Sequence, residues 1–144
     1  MKTIIKSVIL SLLFLFQSPA FAENSKVIGD YVVHFNALPT ESLPPSVASA
    51  YKIKRSKNRG LLNISVLKKG GNFEGAEAEI KVSATNLTGQ LRKIDLRKIT
   101  EQNAIYYIGV FSVSDRETLD FDIRVKTADG KTDNIKLRQQ FFTN

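Results

Sequence analysis

The sequence predicts an all-β domain: an immunoglobulin- or fibronectin-like β-sandwich of about seven strands, with one short helix in the first crossover. Three observations carry this expectation. Apolar and polar residues alternate with a period of two in several segments, turn residues separate those segments at short intervals, and helical periodicity is scarce. A small closed barrel is the competing architecture, because strand count alone does not fix closure. A transmembrane barrel fits less well, since it would need an eighth strand and girdles of aromatic residues.

Each element has its own justification. Tyr31, Val33 and Phe35 share one face of a first strand near 28–36. The interval 37–60 breaks the alternation. Within it, Pro44-Pro45 before Ser46-Val47-Ala48-Ser49-Ala50-Tyr51 predicts one or two helical turns, with proline near the N-terminus. Leu62, Ile64 and Val66 mark a second strand near 61–68, followed by a turn at Gly70-Gly71. Ala76, Ala78, Ile80, Val82 and Ala84 oppose Glu77, Glu79, Lys81, Ser83 and Thr85, a one-sided strand. Asn86-Leu87-Thr88-Gly89 then closes a turn.

Near 91–99 the phase is mixed: Ile94 and Leu96 agree, Leu91 and Ile99 do not, and a β-bulge would reset it. Residues 104–113 are apolar on both faces, as expected of a central strand covered on both sides. Leu119, Phe121, Ile123 and Val125 form the next inward face. Asp129-Gly130 predicts a two-residue hairpin, and Ile135, Leu137, Gln139 and Phe141 continue as the partner strand.

The first 22 residues stand apart. Lys2 and Lys6 give a positive start, Val8–Phe16 an apolar run, and Ala20-Phe21-Ala22 a small-residue exit, the layout of a secretory signal peptide cleaved after Ala22. The apolar run ends at Gln17-Ser18-Pro19, well short of the roughly 20 residues a spanning helix needs. The expected product is a single sandwich domain over 23–144, periplasmic or secreted, with no transmembrane segment after cleavage. The chain has no cysteine, so neither lipidation at a new N-terminal cysteine nor a disulfide is available.

With Lys2 and Lys6 assigned to the leader, 19 basic and 14 acidic residues remain. Their distribution is uneven. Residues 42–73 hold seven cations and no acid, whereas 74–144 hold eleven of each sign. Five of the seven, Lys52, Lys54, Arg55, Lys57 and Arg59, fall within the long crossover. This stretch is the candidate binding site: it would attract anions, most strongly at low salt. In an exported setting these are envelope lipid, glycan or an acidic protein surface. The alternative is a solvated loop whose arginines tie down nearby carbonyls and carboxylates. Nucleic acid is not expected as a partner, because no aromatic residues are interleaved for base stacking.

Other chemistry finds little support. His34 is the only histidine, and Asp30 on the same strand face lies roughly 13 Å away, too far for a local pair. No nucleophile elbow is present, so no catalytic residue is assigned. A Cys/His zinc site cannot be built. The pairs Asp120/Asp122 and Glu77/Glu79 share strand faces, but calcium-loop spacing is absent. No cofactor motif occurs. Tyr106 and Tyr107 sit in the apolar strand as packing residues rather than a ligand platform.

Several segments together resemble an uncharacterised family of exported bacterial domains, domain of unknown function 4426. They are Gly29-Asp30-Tyr31, His34-Phe35-Asn36-Ala37, Pro45 to Tyr51, Ile53 to Val66, Asn86-Leu87-Thr88-Gly89-Gln90 and Ala104-Ile105-Tyr106-Tyr107. The resemblance implies an exported β-sandwich and brings no catalytic residue or cofactor. The expected function is therefore a non-catalytic interaction module that docks on an anionic envelope component through its basic loop. A hydrolase acting on an envelope polymer and a strand-pairing assembly factor are the alternatives.

Overall fold

Alternation becomes nine antiparallel strands in the computed structural model, which describes residues 24–72 and 74–144. The leader expected over 1–22 lies outside the described residues. The order is β1 (Asn24–Ile28), β2 (Tyr31–Pro39), a 3₁₀ turn (Thr40–Ser42), α1 (Pro45–Ala50), β3 (Arg59–Lys68), β4 (Ala78–Asn86), β5 (Leu91–Ile94), β6 (Arg97–Glu101), β7 (Ala104–Ser112), β8 (Thr118–Thr127) and β9 (Thr132–Gln140). One sheet runs β1-β2-β3-β7-β6 and the other β5-β4-β8-β9. They stack as a sandwich, the expected architecture.

The inward faces follow the alternation. Val33, Leu62, Ile64 and Val66 from the first sheet are wholly buried against Leu119, Ile123 and Val125 of β8. Each such side chain contributes about 1.5–3 kcal/mol of burial, the stabilisation a cysteine-free chain must rely on. Phe111 packs edge-on against Phe121 and Phe141, with ring centroids 5.3 Å and 5.6 Å away. The Tyr107 hydroxyl accepts a hydrogen bond from the Ala78 N–H (3.0 Å), tying the entry to β4 back to the first sheet.

Three local expectations need correction. The mixed phase at 91–99 is not a bulge in one strand but a change of sheet: β5 pairs with β4, and β6 with β7. Ile94 therefore packs in the main core while Ile99 packs on the outer face of the other sheet. This split, together with the short β1, raises the count from about seven to nine. The hairpin at Asp129-Gly130 has a three-residue loop, closed by the Thr127 N–H on the Lys131 carbonyl (2.8 Å) with Gly130 at φ 86°.

The apolar strand at 104–113 is covered on both sides only around Tyr106–Ile108; further along, Val110 on the outer face is exposed. Tyr107 and Phe111 face the core, while Tyr106 and Ile108 face outward into a second apolar cluster. The cover is the crossover itself. Helix α1 has Pro45 at its first position and buries Ala48 against the sheet, while Ile53 just beyond it is buried in the same cluster.

Candidate functional site

Register places the outer face of the larger sheet in rows. Directly paired residues share a face, so His34, Ser65, Tyr106 and Ile99 form one row across β2, β3, β7 and β6. Asn36, Asn63, Ile108 and Arg97 form the next. In these two rows β2 and β3 contribute polar residues, and β7 and β6 contribute Tyr106, Ile108 and Ile99 together with Arg97; Leu61 of β3 joins the apolar part. The crossover lies over the apolar part.

Between crossover and sheet is a cavity of about 240 Å³. Leu43, Val47 and Ile53 line it from above, and Leu61, Ile99 and Ile108 from below. Tyr51 and Tyr106 complete the wall, so the Tyr106 expectation of pure packing is extended: one side of the ring borders open space. Asn63 is the exception to the aliphatic and aromatic lining. Its Oδ1 is buried and accepts no hydrogen bond from any described residue. A buried acceptor without a donor costs about 1–3 kcal/mol, so a native chain holding one calls for an explanation.

Two contacts hold the far end of the crossover to β6. The Tyr51 hydroxyl donates to the Glu101 carboxylate, and the Arg97 guanidinium donates to the Tyr51 carbonyl. The Glu101 hydrogen bond, followed by desolvation, raises the Tyr51 phenol above its ordinary value.

Of the five cations singled out in the sequence, Lys52, Lys54, Arg55 and Lys57 lie on the return of the crossover and Arg59 opens β3; all five are exposed. None forms an ion pair with a described residue. Arg55 donates to the Glu41 carbonyl (2.8 Å), the kind of anchoring the solvated-loop alternative anticipates. Lys52 and Lys54 flank Ile53 in sequence, so the buried isoleucine separates two outward cations. The segment is fastened by Thr40, which is fully buried. Its Oγ1 accepts from the Ser56 N–H (2.9 Å) and donates to the Ser56 carbonyl (3.1 Å).

The remaining candidates are structural. Asp120 takes both arms of Arg138 (2.6 and 2.8 Å), Asp122 is bonded to Lys136, Glu77 to Lys98, and Glu79 lies 3.7 Å from Lys81. The carboxylate pairs considered for a hard cation thus face lysines and arginines. His34 stands opposite Ser65 in register, and Asp30 sits away from it in the β1–β2 turn. Asn86 Oδ1 accepts from the Thr88 and Gln90 N–H groups, closing the expected turn. Glu117, which the sequence does not mark, is gripped by Arg92 (2.7 Å to Nη2) and by Asn86 (3.1 Å). Its carboxyl is lowered to about 2, first by Arg92, against the opposing effect of burial.

Two stacked antiparallel sheets, with a crossover roofing one outer face, define the molecule as a small β-sandwich domain. The chain belongs to the DUF4426 family, a domain of unknown function matched over residues 25–144. It is similar to the crystal structure of a DUF4426 family protein from Pseudomonas aeruginosa PAO1. That likeness has 34% identity and a TM-score of 0.72, covering 85% of this chain and 96% of that one. It is also similar in fold to a copper-bound variant of FetP from uropathogenic Escherichia coli strain F11. There the identity is 9% and the TM-score 0.57, over 83% of this chain and 95% of that one. FetP "as isolated", expressed recombinantly in the periplasm, matches at 9% identity and a TM-score of 0.56, over 83% and 93%. No curated protein matches the sequence significantly. Among the described residues, no helix is long and apolar enough to cross a membrane.

Proposed function

We propose that the protein is an exported, non-catalytic binding module that docks on an anionic component of the cell envelope through Lys52, Lys54, Arg55, Lys57 and Arg59. The observation that carries this reading is that these five exposed cations, four on a loop held in place by Thr40 and Arg59 at the start of β3, have no carboxylate partner among the described residues. Unneutralised like charges on an ordered loop repel one another and gain from a polyanionic surface. The proposal includes export by the leader ending at Ala22.

Reversing Lys54, Arg55 and Lys57 to Glu should reduce sedimentation with phosphatidylglycerol-containing vesicles, and the difference should shrink as salt rises. Equal binding by wild type and triple variant across the salt series would defeat the proposal.

The alternatives have less behind them. Each edge strand carries charges that discourage strand pairing: Lys26 on β1, Lys93 on β5, Lys98 on β6, Lys136 and Arg138 on β9. Lys26 Nζ also donates to the Asn134 carbonyl (2.9 Å), engaging a backbone group of β9. A hydrolase needs a base or nucleophile poised for reaction, whereas the strongly shifted carboxylate, Glu117, is committed to Arg92. The copper named for FetP does not fit these residues. Copper sites draw on imidazole and sulfur donors, while this chain has one histidine, no cysteine and one methionine, Met1. No group of three His, Cys, Asp or Glu side chains assembles among the described residues.

A further inference from the structure

The outer face of the smaller sheet carries a second cluster of cations. Directly paired residues place Glu79, Lys126 and Thr132 in one row across β4, β8 and β9, and Lys81, Arg124 and Asn134 in the next. We infer that Lys81, Arg124 and Lys126 form an anion site that takes a phosphate monoester. The crossover covers the other sheet, so this site lies on the opposite side of the sandwich and is independent of docking through the basic loop.

An unfavourable pairing is the first support. Lys81 and Arg124 stand directly opposite each other on adjacent antiparallel strands, where like charges destabilise. Elsewhere on the same face β8 meets opposite signs on β9, Asp122 with Lys136 and Asp120 with Arg138. The like-charged row therefore gives nothing to folding. The second support is missing neutralisation. Arg124 and Lys126 are exposed and form no ion pair with a described residue. Glu79 lies 3.7 Å from Lys81, in a pair largely open to solvent. Three cations against that one carboxylate leave a charge of +2 around the groove. The third is shape. A groove of about 210 Å³ is bordered by Glu79, Lys81, Arg124, Lys126 and Thr132, so all three cations line one space. Neighbouring strands lie about 4.8 Å apart and alternate residues about 6.7 Å apart along a strand. Three long side chains on that grid reach a single group seated between the rows. A phosphate monoester carries about −1.5 to −2 near pH 7 and three acceptor oxygens. It matches the surplus charge and the arginine fork, with the Thr132 hydroxyl as a further donor. A carboxylate or a phosphodiester brings one charge and leaves a cation unmatched.

Glycerol 3-phosphate and dimethyl phosphate, a monoester and a diester, are the solution probes. Each would be titrated at low salt and followed through the backbone amides of Arg124, Lys126 and Thr132. The wild-type protein should bind the monoester about tenfold more tightly than the diester. Joint Arg124→Gln and Lys126→Gln substitution should weaken the monoester by about tenfold or more, whereas reversal of Lys54, Arg55 and Lys57 should leave its affinity unchanged. The glutamine pair relieves the Lys81–Arg124 opposition, so its Tm should not fall below that of wild type. Glycerol 3-phosphate should raise the Tm of wild type alone. Should the double variant fail to fold, Lys81→Gln removes a cation from the other strand and should weaken the monoester about threefold. Vesicles containing phosphatidate separate the sources of the phosphate, with the loop-reversed protein as background. Sedimentation lost on adding the glutamine pair assigns a lipid head group; monoester binding without sedimentation assigns a soluble ester.

Absence of saturable shifts at these three amides, shifts that survive the glutamine pair, or equal affinity for monoester and diester overturns the inference. Each of those results leaves docking through the crossover intact. Conversely, vesicle docking unaffected by the loop reversal defeats that reading and leaves this site standing.

Discussion

Replacing Thr40 by valine tests how the basic loop is held. Valine keeps the branched shape and the methyl packing of a residue with no exposed surface, and removes only the hydroxyl. Two hydrogen bonds disappear, from the Ser56 N–H (2.9 Å) and to the Ser56 carbonyl (3.1 Å). Both backbone groups lie in a half-buried position where water compensates incompletely. At a net value near 1 kcal/mol each, with some cost for stranded polar groups, the loss is about 1–3 kcal/mol. For a domain of this size that lowers Tm by about 4 °C per kcal/mol. Urea unfolding gives the stability change, and native-state amide exchange at Ser56 gives its location. The Ser56 amide should lose protection while the β8 amides change only as far as global stability does. Stability within about 0.5 kcal/mol of wild type, with Ser56 still protected, would refute the idea that Thr40 fastens the crossover.

Two other perturbations probe the frame. Glu117, with only 11% of its side chain exposed, has its carboxyl lowered from 4.5 to about 2, so its stabilising effect is present above pH 4.5 and lost as pH falls towards 2. A shift of that size corresponds to about 3 kcal/mol, and Glu117→Gln should flatten the acid limb of urea midpoints measured from pH 2 to 7; an unchanged slope would count against the Arg92 linkage. A Cβ at Gly60 would stand 2.3 Å from Phe111 Cε2, on a ring also packed against Phe121 and Phe141. Gly60→Ala should therefore cost about 1–3 kcal/mol in thermal unfolding, and a neutral result would mean the aromatic cluster is looser than described.

The inward faces were legible because each is a run of alternate residues within one segment. Tyr31-Val33-Phe35 and Leu119-Phe121-Ile123-Val125 need no distant information to be recognised. The change of sheet at Asp95-Leu96 was not, since that corner carries neither glycine nor proline and leaves only a broken phase. β1 escaped because Ile28 is its single buried residue. The cations were visible as charge, but their fastening depends on Thr40, sixteen positions from Ser56. The cavity was invisible for the same reason. Its walls come from the crossover, β3, β6 and β7, and Asn63 reads in sequence as an ordinary polar residue on a strand.

A two-layer sandwich ordinarily leaves the outer faces of its sheets to water, yet Leu61, Ile99 and Ile108 point outward here. The crossover has a plain architectural cause, which is to cover them. That cause explains its length and its buried Ile53, and also why its polar residues face away from the sheet. It does not explain their charge. A cover with mixed signs would serve as well, and residues 74–144 manage their exposed faces with eleven charges of each sign. Exposed cations without ion-pair partners contribute little to folding, so the triple reversal of Lys54, Arg55 and Lys57 should leave the urea midpoint within the equivalent of about 0.5 kcal/mol. Separation of the two properties, stability kept and vesicle docking lost, would place the charge bias in recognition. Loss of stability in step with docking would instead make the cations part of the roof.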